Sequence, residues 1–329
     1  MTRCIKVLAN LDIAEKRLPQ DGRIFQEING KQVDLRVSIL PTVHGEKTVI
    51  RFIYRNHRGF TLSEIGFKEE DYIKIKQLLK NPYGIILLTG PTGSGKSTTL
   101  AASLKWLNHE SINMITVEDP VENVIEGISQ VAVNTKIGLD FSKVLRAILR
   151  QDPDVLMIGE MRDEETAGIA IRAAITGHLV LSTLHTNNAI SSIPRLIDMG
   201  VEDYMVAAAV KGVISQRLIR RLCPVCRKKH QVTATEAIIY KVPEGIMVYK
   251  PKGCKACNHI GYKGRMAIYE ILMISQKLQE MIAKGERDTE ILQRIAEEEG
   301  MHTLWQNAYE HVLNGDTSME EMLRVTYKQ

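Results

Sequence analysis

Eight consecutive residues, Gly90-Pro91-Thr92-Gly93-Ser94-Gly95-Lys96-Ser97, constrain this chain more than any other stretch. They match G-x-x-x-x-G-K-[ST] in full, and the flanks agree: the apolar run 85–89 reads as a strand, and 98–107, opening at Thr98, as a helix. A glycine-rich turn from strand to helix would not need the lysine and the serine. The three glycines let backbone N–H groups curl around a β-phosphate, and the helix N-terminus adds partial positive charge where anionic oxygens sit. Lys96 is expected to reach the β- and γ-phosphates, and the Ser97 hydroxyl to ligate Mg²⁺. Residues 90–98 are therefore the candidate ATP cradle.

A phosphate loop implies nucleotide binding, whereas hydrolysis also needs acids that orient water and hold the metal. Two segments compete for these roles. Residues 114–117 form an apolar run ending in Glu118-Asp119-Pro120, and 155–158 form another, followed by Gly159-Glu160. Both place acids where the C-terminal ends of parallel strands gather around a ligand.

Short apolar runs at 85–89, 114–117, 155–158 and 179–184, separated by helical stretches, predict a parallel sheet covered on both faces. Ahead of it, 33–37 and 48–54 read as two strands joined through Pro41, His44 and Gly45, and 60–79 as helical segments. Beyond Ile274 the chain reads as helical, with Thr317-Ser318-Met319-Glu320 as a capping box. A length of 329 residues is more than one core uses efficiently. The expected divisions are 1–60, 61–214 for the nucleotide core, 215–270 for a cysteine module and 271–329 for a helical end.

The five cysteines include two C-x-x-C pairs, Cys223/Cys226 and Cys254/Cys257, with 27 residues between them. Four thiolates suit a closed, tetrahedral, structural Zn²⁺ site; redox chemistry would favour a single pair near a thioredoxin-like unit. Cys4 remains and is expected to be a small buried hydrophobe. The basic stretch Arg227-Lys228-Lys229-His230 beside the first pair reads as a solvated loop, or as a contact for acidic lipid or a partner. A net charge of +4 and 5% aromatic residues argue against a base-stacking nucleic-acid channel. No run reaches the ~18 apolar residues that a membrane span needs, so the expected address is the cytoplasm.

The run Gln151-Asp152-Pro153-Asp154 leading to Gly159-Glu160-Met161-Arg162-Asp163-Glu164-Glu165-Thr166 resembles the Walker B region of the type II secretion and type IV pilus assembly ATPases. Residues 176–187, TGHLVLSTLHTN, resemble their histidine box, Glu118-Asp119-Pro120 their aspartate box, and Leu18-Pro19-Gln20-Asp21-Gly22-Arg23 their N-terminal signature. The resemblance runs from Arg3 to Thr326. It implies an α/β fold: a RecA-like P-loop ATPase core with a partial PAS-like α+β module in front and a tetracysteine zinc module behind, assembled as a homo-hexamer.

By the same resemblance, Glu118 is the water-orienting base and Glu160 the Walker B acid acting on Mg²⁺ directly or through water, though the two roles could be exchanged. His185 is a γ-phosphate sensor, and His178 either a second site residue or a packing histidine. Arg36 and Arg51 stand where family arginines reach phosphates across a domain or subunit boundary; the alternative is ordinary ion pairs on a strand. The tetracysteine module points to the assembly or export branch rather than the retraction branch. The implied function is an ATP-driven motor acting on an inner-membrane platform protein. A nucleic-acid or DNA-uptake motor and a non-hydrolysing scaffold are the competing readings. Family members carry several dozen residues upstream, so the chain is expected to be a fragment whose front sheet has an unpaired edge and an uncovered apolar face.

Overall fold

The computed structural model describes residues 1–28, 31–54 and 60–326, in two compact units, Met1–Gly59 and Phe60–Gln329. In the first, helix α1 (Thr2–Leu8) precedes strands β1 (Gln20–Ile28), β2 (Lys31–Thr42) and β3 (Gly45–Tyr54), which pair antiparallel in the order β1-β2-β3. Alternation along β2 sends Val33, Leu35, Val37 and Ile39 to one face, where they are buried with Ile24 and Ala9 and flanked by Ile5, Leu11 and Ile50.

This corrects the sequence reading in two respects. The front sheet has three strands rather than two, because β1 lies in the stretch read as a signature and not as structure. Its apolar face is also covered, by α1 and the residues after it. Lys6 of α1 is fully buried and is held by the Glu46 carboxylate at 2.6 Å and the Glu15 carbonyl at 2.6 Å, whereas Cys4 on the same helix is exposed, contrary to expectation. Among the described residues, β1 and β3 each pair with β2 alone.

The second unit begins with α2 (Glu69–Leu79) and alternates β4 (Gly84–Thr89), α3 (Lys96–Leu107), β5 (Met114–Glu118), β6 (Ser129–Ala132), α4 (Phe141–Ile148), β7 (Val155–Ile158), α5 (Glu164–Ile175) and β8 (Leu179–Leu184). Then come α6 (Ser192–Asp198), α7 (Asp203–Ala209), β9 (Val210–Leu222), β10 (Lys228–Gln231), α8 (Ala234–Tyr240), β11 (Met247–Lys250) and β12 (Tyr262–Met273). Four helices close the chain: α9 (Gln276–Ala283), α10 (Thr289–Glu298), α11 (Leu304–Leu313) and α12 (Met319–Thr326).

The main sheet runs β12-β9-β4-β8-β7-β5-β6, parallel throughout except that β12 pairs antiparallel with β9. Its strands are apolar on both sides because both sides are covered. Ile85 and Leu87 of β4 join a core with α4, α5 and α7, whereas Ile86 and Leu88 join a core with α2 and α3.

Strands β9 and β12 cross the expected divisions at 214/215 and 270/271, so the cysteine segment leaves the main sheet and returns to it. Buried polar residues, Ser215, Gln216 and Arg217, interrupt the apolar pattern of β9 and hide it among the sequence's apolar runs. The last helix is capped one residue later than its sequence suggested. Ser318 Oγ accepts from Glu321 N at 3.3 Å, while the Thr317 hydroxyl turns away to donate to the Arg220 carbonyl at 2.8 Å.

Candidate functional site

Strands β4, β5, β7 and β8 all point the same way, and each hands over to a candidate residue at its C-terminal end. Gly90 follows β4, Glu118 closes β5, Glu160 lies two residues past β7 and His185 follows β8. The sheet thus gathers four segments separated by up to 95 residues along one edge.

The loop itself is shaped by glycine. Gly90, Gly93 and Gly95 have φ of +140°, +79° and +93°, and a Cβ on Gly90 would come within 2.4 Å of the Gln216 carbonyl. Gly95 caps α3, so the helix begins at Lys96 with its first N–H groups turned toward the loop. Lys96 is 9% exposed and its Nζ donates to the carbonyls of Gly90 at 2.6 Å and Pro91 at 3.3 Å. Burial lowers its pKa, and the Glu160 carboxylate opposes that shift. Ser97 and Thr98 are exposed at the helix start.

Glu160 is largely buried, accepts an ion pair from Arg162 Nη2 at 2.5 Å, and has His185 Nε2 3.6 Å from its other oxygen. Glu118 sits one strand further from the loop. Its Oε1 accepts from the Thr116 hydroxyl at 2.7 Å and from Gln130 Nε2 at 2.9 Å. His178 lies at the start of β8, the opposite edge of the sheet, with its Nδ1 3.0 Å from the Ala173 carbonyl. It packs helix against strand and is remote from the phosphate loop.

Sequence reasoning missed Gln216. It is 2% exposed on β9, donates to the Ser94 carbonyl at 2.9 Å and accepts from the Thr99 hydroxyl at 2.7 Å, bracing the loop and the first turn of α3 together. Nothing in the local sequence marks it; its partners lie 122 and 117 residues away.

In the first unit, Arg36 pairs in register with Arg51 on one side and with Arg23 on the other. The three arginines line a groove of 430 Å³ on the face opposite the apolar one. The Asp21 carboxylate lines the same groove and offsets part of the repulsion that like charges opposite one another across strands would bring. Nothing in the N-terminal signature distinguishes Arg23, and register alone brings it beside Arg36.

The four cysteines converge. Their Sγ atoms all lie within 4.8 Å of one another, with Cys223–Cys254 at 3.9 Å, Cys226–Cys257 at 3.8 Å and Cys254–Cys257 at 3.8 Å. Tetrahedral ligation at a Zn–S distance of about 2.3 Å requires sulfurs about 3.8 Å apart, a spacing that three of the six pairs already have, so the donor set fits zinc. Burial alone would raise the Cys257 thiol, but N–H groups of Cys254 and Gly261 point at its sulfur at 3.2 and 3.3 Å and hold it at about 6.

With this geometry in place, likeness to known proteins decides the family. The family model described as "Type II/IV secretion system protein" matches residues 1–324. The chain belongs to this family. It is 46% identical over 325 residues to the type II secretion system protein E of Dickeya dadantii, covering 99% of this chain and 65% of that protein. It is 46% identical over 326 residues to the type II secretion system ATPase E of Vibrio cholerae, covering 98% of this chain and 64% of that protein.

The chain therefore spans a little under two thirds of the length of these curated relatives. Among solved structures it resembles the pilus retraction motor PilT with bound ADP, at a TM-score of 0.69 and 28% identity over 94% of this chain and 78% of that one. It shares its fold with the Legionella pneumophila ATPase DotB, at a TM-score of 0.69 and 21% identity over 95% of this chain and 78% of that one. No described helix of this secretion-family chain is long and apolar enough to cross a membrane.

Proposed function

We propose that this chain is the ATP-hydrolysing part of a homo-hexameric motor that drives pilus or pseudopilus assembly or type II secretion. It would work at the cytoplasmic face of the inner membrane through a platform protein. The observation that carries this reading is the gathering of the phosphate loop, Glu118, Glu160 and His185 at the C-terminal ends of the parallel strands β4, β5, β7 and β8, with His185 Nε2 3.6 Å from the Glu160 carboxylate. The names of the relatives, among them an ATPase E of a type II secretion system, agree with it.

On ATP binding, residues 90–98 cradle the phosphates, and Lys96 exchanges the Gly90 and Pro91 carbonyls for β- and γ-phosphate oxygens. Mg²⁺ on the Ser97 hydroxyl, reached by Glu160 directly or through water, would neutralise charge on those oxygens. Glu118 orients the attacking water and takes its proton. His185, 3.6 Å from Glu160, is placed to report the γ-phosphate. Arg23, Arg36 and Arg51 supply positive charge to a triphosphate within the ring. Cys223, Cys226, Cys254 and Cys257 would hold Zn²⁺ in a structural role, since four thiolates leave no position for water.

Replacing the lysine is the direct test. Lys96→Ala should lower ATP turnover at least about 100-fold, as loss of a charge-stabilising group does, with an unchanged circular dichroism spectrum. Wild-type turnover in that variant would remove the assignment.

A further inference from the structure

A carboxylate that orients water works best with one oxygen held and the other presented. Glu118 has this division of labour. Both of its hydrogen bonds to described residues arrive at Oε1, from the Thr116 hydroxyl at 2.7 Å and from Gln130 Nε2 at 2.9 Å. Thr116 lies two residues back on β5, hence on the same face of the strand. Gln130 is the in-register neighbour of Thr116 on the adjoining strand β6, so its side chain continues the row.

The Gln130 amide has a single workable orientation. Its Oε1 accepts from the backbone N–H of Ile125 at 2.7 Å, and its Nε2 donates to the Asn123 carbonyl at 3.0 Å. A backbone N–H can only donate and a carbonyl can only accept, so flipping the amide would break both bonds. These two contacts leave one N–H, and it points at Glu118. Gln130 thereby ties the loop after Pro120 to the carboxylate, although it sits on the edge strand, four strands from β4.

We propose that Gln130 is a positioning residue that locks the Glu118 carboxylate so that Oε2 faces the attacking water. It acts on turnover through Glu118 and makes no contact with nucleotide. The proposal rests on Glu118 being the water-orienting group of the reaction proposed above.

The test uses the full chain with Mg²⁺ and ATP. Gln130→Ala should lower kcat about 10- to 100-fold, the usual cost of a misplaced reacting group, while the affinity for a fluorescent ATP analogue stays within about twofold. Gln130→Glu keeps the acceptor for Ile125 but turns an oxygen toward both Glu118 and the Asn123 carbonyl, so it should fall equally far at neutral pH.

A double-mutant cycle separates positioning from general damage. In a Glu118→Gln background, Gln130→Ala should change the residual single-turnover rate by less than about threefold. Unchanged turnover in Gln130→Ala would overturn the proposal, as would an equal fold loss in both backgrounds or a loss of nucleotide affinity. If Lys96→Ala and Glu118→Gln are inactive but Gln130→Ala is normal, only this inference fails. If Lys96→Ala is active, the proposed function fails instead.

Discussion

Glu321 is fully buried at the start of α12 and takes five hydrogen bonds from two arginines: Arg220 N, Nε and Nη2 at 2.9, 2.9 and 2.7 Å, and Arg324 Nε and Nη2 at 2.8 and 2.6 Å. Burial alone would raise its pKa, but the guanidinium groups of Arg324 and Arg220 outweigh that and hold it at about 2, against an ordinary 4.5. A folded pKa below the unfolded one means that the stabilisation is complete above pH 4.5. It is lost as pH falls toward 2. Glu321→Gln removes the charge and leaves two half-exposed arginines without it, so it should cost about 3 kcal/mol at pH 7. Urea unfolding of both proteins should show the gap narrowing below pH 4.5; a constant gap would mean that the carboxylate's charge is not what stabilises α12. Nothing around residue 321 in the sequence singles it out from its exposed neighbour Glu320.

At the level of elements, β9 and β12 enter the cysteine knuckles directly. Cys223 follows β9, and its N–H donates to the carbonyl of Gly261, next to the start of β12, at 2.9 Å. Leu222 lies six positions beyond Gln216, roughly 20 Å of strand, and Gln216 directly follows Ser215, the last residue of β9 paired with β4. Removing the metal, by chelation or by Cys223→Ser, should therefore loosen the knuckles and leave the phosphate loop intact. The expected result is one zinc per chain by elemental analysis. Hydrogen exchange should rise across residues 223–261 after zinc loss, with nucleotide affinity changed less than about threefold. A collapse of nucleotide binding would mean that β9 transmits the loss to Gln216.

The elements themselves were unevenly legible. The parallel strands stood out as contiguous apolar runs. Strand β1, with Asp21, Arg23, Gln26 and Glu27 on a three-stranded sheet, lacks that run and was passed over. The cap of α12 was misplaced by one residue because Thr317 and Ser318 both satisfy the pattern, and only the Arg220 carbonyl draws the threonine away.

For the whole molecule, the arginine row is the feature that bears on the proposed assembly. Arg23, Arg36 and Arg51 stand in one cross-strand row with Asp21 in the same groove, and the proposed function gives that row a phosphate to meet in an assembly. Arg51→Ala and Arg23→Ala should each reduce turnover about 10-fold or more, in keeping with arginines that stabilise phosphoryl transfer, while equilibrium ATP binding changes little. Specific activity of the wild type should rise with protein concentration as rings form, and that rise should be blunted in both variants. Variants that match the wild type at every concentration would return the row to ordinary surface charge.

What the sequence by itself determined was whatever chemistry is written in contiguous residues. The phosphate loop, the acids at the ends of apolar runs and the paired cysteines are local patterns whose spacing dictates their geometry. The tertiary structure decided everything that depends on register or on distant partners. Arg23 joined Arg36 and Arg51 because β1 pairs with β2 at that offset. Gln216 reached the loop from 122 residues away, and Gln130 reached Glu118 because β6 lies beside β5. A polar side chain looks the same in sequence whether it meets solvent or a buried partner, and only folding assigns the partner.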